Sequence, residues 1–275
     1  MKKKLFCEIS PFTYWLSLQK ERVLRDIKNL LGRERFARRY EKERLPVIVS
    51  SKVSHMIKVG AGIDPRLQQN KAANIRLACS KMDGLIIAPG ETFSFWDRVG
   101  KTSRRNGFSE GRVLVNGKLV AGVGGGLCNL ANTINLLVLH SPLTISELHH
   151  HSDALAPDPD GKHVPYGAGT SVNYNFIDYR FRNDTEQPVQ LCLWCEGEDL
   201  CAELRTVKDF PYTYRLTEED HHFHREANGK YYRLSRIYRE TLDRATGETV
   251  RKELVWDNRS EVLFDPELIP ESQIR

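Results

Sequence analysis

The chain has 275 residues, 40% of them hydrophobic and 28% charged, with a formal net charge of +5. That length and balance describe a globular protein with a full-sized core, and exclude a disordered or fibrous chain. Six cysteines (Cys7, Cys79, Cys128, Cys192, Cys195, Cys201) are too few for a disulfide scaffold at this size and read as free thiols; no apolar run approaches the ~20 residues that span a bilayer.

Residues 1–46 read as a basic helical segment that Pro46 ends. "MKKK", "KERVLRDIK" and "GRERFARRYEKER" concentrate positive charge there, whereas the last 70 residues are near balance. A basic amphipathic segment suits weak contact with a membrane surface; the competing reading is a solvated helix and linker. Glu8 and Pro11 break the opening apolar stretch and no small-residue cleavage site follows, so it is not read as a signal peptide. The expected location is cytoplasmic, peripheral to the inner membrane face.

Residues 47–205 are expected to form the main domain. "VIVSSKVSHMIKVG" (47–60) is β-branched and strand-like. A helix follows, capped by Asp64 with Pro65 in its first turn and Gly84 near its end, burying Ile75, Ala78, Cys79 and Met82. From residue 85 to 100 the pattern is strand, Pro-Gly turn, strand. Asn116-Gly117, between alternating apolar residues, marks a type I′ hairpin. Leu127, Leu130, Ala131, Ile134, Leu137 and Val138 then form one apolar helical face that ends near Pro142. Residues 143–184 read as strand, Pro/Asp/Gly-rich loop and strand, and 185–205 as a further strand pair. Residues 206–275 read as a β-hairpin-rich C-terminal extension packing on that domain. The fold class is α+β, a mostly antiparallel β-sheet core with a few helices.

The chemistry centres on "GVGGGLCNLANTINLLVLH" (122–140). A cysteine in a helix's first turn gains thiolate character from the unpaired amides and the dipole. Gly124, Gly125 and Gly126 leave bare backbone whose amides suit an oxyanion. Asn129 follows Cys128, and Cys128, Asn132 and Asn135 form a polar strip beside the apolar face. A nucleophilic Cys128 needs a base, for which "ELHHHSD" offers His149 and His151 on one side of a strand, and an orienting group, for which Asp178 and Asp153 are candidates. Tyr166, Asn173, Tyr174, Asn175 and Tyr179, with Ser152 as a further candidate, suit a polar ligand such as a peptide or sugar; the equal alternative is a Tyr-rich antiparallel strand. Against this, glycines before a helix often make a packing turn, and cysteine is among the most buried residue types.

Other site classes are weaker. His149 and His151 with His163 or Cys128 match no metal-ligand spacing, so no metal is expected. "GVGGG" lacks the Lys-Ser/Thr of a phosphate loop, and no cofactor is implied. "CLWC" lies in a strand, with Cys192 and Cys195 on opposite faces. No nucleic-acid-binding motif is present.

"PGETFSFWDRVG", "VNGKLVAGVGGGLCNLANTI", "HHHSD" and "PYGAGTSVNYNFIDYRFRN", in this order, resemble the VanW family over about residues 85–205, and the tail resembles an extension of one subgroup. Asn129 stands where many members have Gln, and Gly169 where an Asp is common. The resemblance implies an accessory protein of a glycopeptide-resistance gene cluster, a setting in which the D-Ala-D-Ala end of peptidoglycan precursors becomes D-Ala-D-lactate. It implies no particular reaction. The expected partner is a peptidoglycan precursor or D-amino acid peptide, met either by a Cys128-dependent peptidase or acyltransferase, or by a non-catalytic binding module or partner-docking protein.

Overall fold

Ser10 opens the first helix: its hydroxyl accepts from the Thr13 amide, and Pro11 occupies the first helical position, where a missing N–H costs nothing. This helix, α1 (Pro11–Leu31), ends at Gly32, so the helical reading of 1–46 is too long. Residues beyond it turn back into the body as β1 (Arg35–Phe36) and β2 (Arg39–Tyr40), pinned by fully buried Ala37, whose amide donates to Thr92 O. The computed structural model describes residues 5–59, 63–115, 118–154, 157 and 169–275.

β3 (Val47–His55) and α2 (Pro65–Ser80) follow as their sequences direct, with the Asp64 carboxylate accepting from the Arg66 and Leu67 amides. Ile75, Ala78, Cys79 and Met82 are buried, as their spacing requires. β4 (Leu85–Ile87) and β5 (Glu91–Ser94) flank the Pro-Gly turn, but the chain then forms a short helix, α3 (Phe95–Val99), because Ser94 caps it and Phe95, Trp96 and Val99 insert into the core. β6 (Glu110–Val115) pairs with β7 (Lys118–Val123) in the expected hairpin, whose Asn116-Gly117 turn lies outside the described residues.

The apolar face of α4 (Leu127–Leu139) is buried through Leu127, Leu130, Ala131, Ile134, Leu137 and Val138. After it come β8 (Thr144–Glu147), β9 (Asp153–Ala154), β10 (Arg180–Arg182), β11 (Val189–Glu196) and β12 (Asp199–Thr206). With β1 to β5, all of these but β9 assemble into a four-stranded sheet ordered β1-β5-β10-β8 and a five-stranded sheet ordered β2-β4-β11-β12-β3. Strands from both, with α2, α3 and α4, enclose one continuous core. The pairings are antiparallel apart from β1 with β5 and β9 with the last strand, so the expected α+β class holds.

The tail adds a long strand that turn signals do not mark, β13 (Tyr212–Arg225), to the expected hairpin of β14 (Tyr231–Asp243) and β15 (Thr249–Val262). This sheet is tied to the body by β9, which pairs in parallel with the end of β15, and by Leu216 and Ile237, which pack on Leu139 at the end of α4.

Before α4 the backbone of Gly125 lies directly on that of Gly111 in β6. A Cβ at Gly125 would sit 2.3 Å from the Gly111 carbonyl carbon and 2.7 Å from the Arg112 amide nitrogen. Gly125→Ala is therefore expected to destabilise the fold by about 3 kcal/mol or more, since neither backbone can yield. Urea unfolding should show a lower midpoint at an unchanged slope.

Candidate functional site

The glycine run forms a turn that packs against β6. The Gly124 amide donates to Ser109 O and the Gly125 amide to Gly122 O, so both are committed within the protein. Gly124 and Gly126 have φ of +83° and +102°, conformations that other residues rarely adopt, and the Lys71 stem lies over Gly126. Burial, with like charge from Lys58 and Arg112, brings the Lys71 ammonium down to about 8.

The turn delivers Cys128 to the first turn of α4, as its sequence position predicts. The thiol contacts the Val172 carbonyl, with Sγ 3.7 Å from the oxygen. Burial pushes its pKa up, and ionisation would forfeit the proton that the carbonyl accepts. Among the described residues no histidine hydrogen-bonds to it.

One turn along, Asn132 Oδ1 accepts from the Thr170 amide at 3.2 Å, and Gly169 lies against both Asn132 and His151. Residues 169–172 thus cross α4 and gather Cys128, Asn132 and His151 along one line. Of the three histidines in "HHHSD", His150 forms an isolated bridge to Thr170 in place of the expected strand, and Asp153 begins β9. His149 points to solvent, with Nε2 3.4 Å from Glu147 Oε1. Burial lowers the His151 pKa, opposed by the Asp153 charge. Asn129 Oδ1 accepts from the Ser54 hydroxyl, and exposed Ser152 bonds Asp153. Tyr166 and His163 lie outside the described residues.

Asp178 and the Tyr/Asn strip serve the architecture. The buried Asp178 carboxylate accepts from the Ser94 hydroxyl (2.6 Å), the Trp96 and Tyr179 amides and Arg180 Nε (2.7 Å). Its hydrogen bonds link no histidine to Cys128. Tyr174 packs edge-on against Trp96 and beneath the Arg22 guanidinium. Asn175 Nδ2 donates to Arg22 O and Asp26 Oδ1, both on α1, while exposed Asn173 closes a backbone turn with Ile177.

The concave feature lies on the other side of Asn132. A cleft of about 760 Å³ opens between α4, β8 and the β13–β15 sheet. Leu136, Leu139, Ile145, Leu216, Ile237 and Trp256 give it an apolar lining; its polar points include Asn132, Asn135, His150 and Arg239, with Tyr212, Tyr214, Arg251 and Glu253 on the sheet side, the Glu253 carboxylate 3.7 Å from the Arg239 guanidinium. The His150 ring stacks on Trp256, with centroids 3.9 Å apart and planes at 5°. Arg239 lies over the Tyr214 ring and donates to Ser141 O. Among the described residues, three buried polar atoms here have no partner: Asn135 Oδ1, His150 Nδ1 and Arg239 Nε. An unmet buried group costs about 1–3 kcal/mol, so a ligand that satisfies it gains accordingly. Asn135 was legible as part of the helical polar strip; Arg239 and Trp256 were not, because only sheet packing brings the tail to α4. Among the described residues no cluster of three His, Cys, Asp or Glu is placed to hold a metal.

Residues 70–205 match the family model described as VanW like protein. The chain is 28% identical over 237 residues to the vancomycin B-type resistance protein VanW of Enterococcus faecalis, covering 86% of this chain and 84% of that protein. It is 31% identical over 121 residues to the uncharacterized protein YoaR of Bacillus subtilis, covering 44% of this chain and 38% of that one. No solved structure matches the chain.

Two measurements check this electrostatic picture. Interaction with the neighbouring Cys79 thiol holds Cys195 below the ordinary thiol range, whereas burial raises Cys128, so iodoacetamide mapping across neutral pH should label Cys195 ahead of Cys128; early labelling of Cys128 would instead mark an activated nucleophile. Burial, then the charges of His151 and His149, holds His150 down to about 4. Because this folded pKa lies below the unfolded value of about 6.5, stability should fall as pH drops from 6.5 towards 4. His150→Phe, which keeps the stack, should remove about 2 kcal/mol of that loss, allowing for the ring's partial exposure. Urea midpoints across that range read it.

Proposed function

We propose, from the match of residues 70–205 to the VanW-like family model, that this chain is an accessory protein of glycopeptide resistance that binds the D-amino acid terminus of a peptidoglycan precursor. The name of the Enterococcus faecalis relative supports the setting. The observation that carries the binding reading is the cleft, whose apolar walls hold two unmet polar atoms of complementary kind. Asn135 Oδ1 is an acceptor for a peptide N–H, and Arg239 Nε is a cationic donor for a carboxylate. Leu136, Leu139 and Trp256 take small methyl side chains. About 760 Å³ falls within the range of sites that enclose small ligands.

A second reading, thiol chemistry by a peptidase or acyltransferase, draws on the alignment of Cys128, Asn132 and His151 along residues 169–172. In that reading Cys128 attacks a carbonyl presented from the Asn132 end of the cleft, after losing its proton to His151. Burial of the thiol and the engaged glycine amides favour binding without chemistry.

Acetylated peptides ending in D-Ala-D-Ala or D-Ala-D-lactate are the probes. At a hundred times Kd, a ligand bound only by the folded state adds about 2.7 kcal/mol, a rise of several degrees in Tm. Asn135→Leu should leave the unliganded Tm unchanged or higher, because it removes an unmet buried acceptor, while weakening binding at least tenfold. Cys128→Ala should bind as the wild type does. Absence of a Tm shift with both peptides would overturn the binding reading, and turnover lost on Cys128→Ala would install the thiol reading in its place.

A further inference from the structure

The first helix is docked the wrong way round for a globular protein. α1 meets the body with its polar side. The Arg25 guanidinium is bidentate on Glu147, both contacts at 2.6 Å, and also donates to Phe176 O. Arg22 Nε donates to Tyr174 O, and Asn29 Oδ1 accepts from Arg180 at 2.7 Å. These positions recur at helical spacing and define one face. On the other, Phe12, Leu16, Val23, Ile27 and Leu30 are all exposed, Leu30 at 83%. At 100° per residue these five fall within an arc of about 60° and extend over about 27 Å. Trp15, Leu24 and Leu31 flank them, and Leu5, Phe6 and Ile9 prolong the exposed apolar run before the helix. No residue of α1 is buried.

A continuous apolar strip of this kind marks an interaction surface. We propose that α1 lies in the plane of an anionic phospholipid bilayer, with its outward apolar face among the acyl chains and its arginine face holding the protein to it. Charge selects this occupant. Residues 1–45 hold 13 Lys and Arg against 6 Asp and Glu, whereas the other 230 hold 28 against 30. The net positive charge of the chain therefore lies in its first 45 residues, with Lys20 and Lys28 exposed on α1 itself; anionic headgroups attract this charge, and a second copy would meet it with like charge. The aromatic pair Phe12–Trp15, with centroids 6.1 Å apart, suits the headgroup boundary. No helix among the described residues is long and apolar enough to cross a membrane, so the strip lies along the surface. This inference is independent of the cleft.

Co-sedimentation of the full chain with phosphatidylglycerol vesicles, and with phosphatidylcholine vesicles in parallel, tests it. The wild type should bind phosphatidylglycerol more strongly, with affinity falling as salt rises. Phe12→Ser/Leu16→Ser/Ile27→Ser should lower the partition at least tenfold at an unchanged Tm, because these side chains face solvent; Leu30→Ser alone should move it in the same direction. Wild-type protein remaining in the supernatant with phosphatidylglycerol would overturn the proposal. So would a dimer in sedimentation velocity that the triple variant converts to monomer, since a second copy would then own the face. Peptide-induced Tm shifts that persist in the triple variant keep this result separate from the cleft.

Discussion

Arg180 is the point on which the arrangement turns. Its side chain is 4% exposed, and a guanidinium that deep is tolerated only when its donors are met by charged or polar partners. Asp178 takes Nε, while Glu34 and Asn29 take the terminal nitrogens, with Glu147 3.7 Å away. Asp178 in turn accepts from Ser94 and the Trp96 amide at the start of α3, and Glu147 accepts both arms of Arg25. Burial opposes the charge on Glu147, yet the Arg25 hydrogen bonds and the Arg180 charge hold its carboxyl below the ordinary range. One buried network thus joins α1, α3, β8 and β10. Removing a member would strand its partners without counter-charge, a change that costs about 3–5 kcal/mol in buried pairs.

That network also decides which way α1 faces. Because the body offers Glu147, Arg180 and backbone carbonyls, the helix must bring Arg22, Arg25 and Asn29 inward, and the apolar residues on its opposite face have nowhere to go but outward. The residues of "NYNFIDYRF" that suggested a ligand cleft, Tyr174 and Asn175 above all, are the seat of this helix.

The second constraint is the contact of Gly125 with Gly111, which sets where α4 begins. From that origin the helix places Cys128 against the Val172 carbonyl and Asn135 at the cleft, two turns apart. The thiol lies against a carbonyl, with its pKa raised by burial; the amide oxygen is buried and has no partner among the described residues. Unmet polar atoms beside apolar walls are a standing cost to stability, and proteins retain such costs where a ligand relieves them. The cleft itself exists only because the β13–β15 sheet stops short of α4, touching it through Leu139, Leu216 and Ile237.

The sequence by itself determined the α+β class, the cap and core face of α2, the pairing of β6 with β7, the start and apolar face of α4, and the family. Each rests on local physics: capping chemistry, turn preference, and periodicities of 3.6 and 2 that a few consecutive residues reveal. It did not determine that α1 stops at Leu31, that β13 joins the tail hairpin, or that Asp178 faces Arg180 and Ser94. Those outcomes depend on partners tens to more than a hundred residues away, and no local pattern specifies them. The same holds for function. Glycines before a cysteine have the same composition whether they cradle an oxyanion or let two backbones touch; only the neighbour at Gly111 decides. Arg239 and Trp256 read as ordinary strand residues until the fold lays them across α4, because a site assembled from separated segments is a property of packing and not of any one stretch of chain.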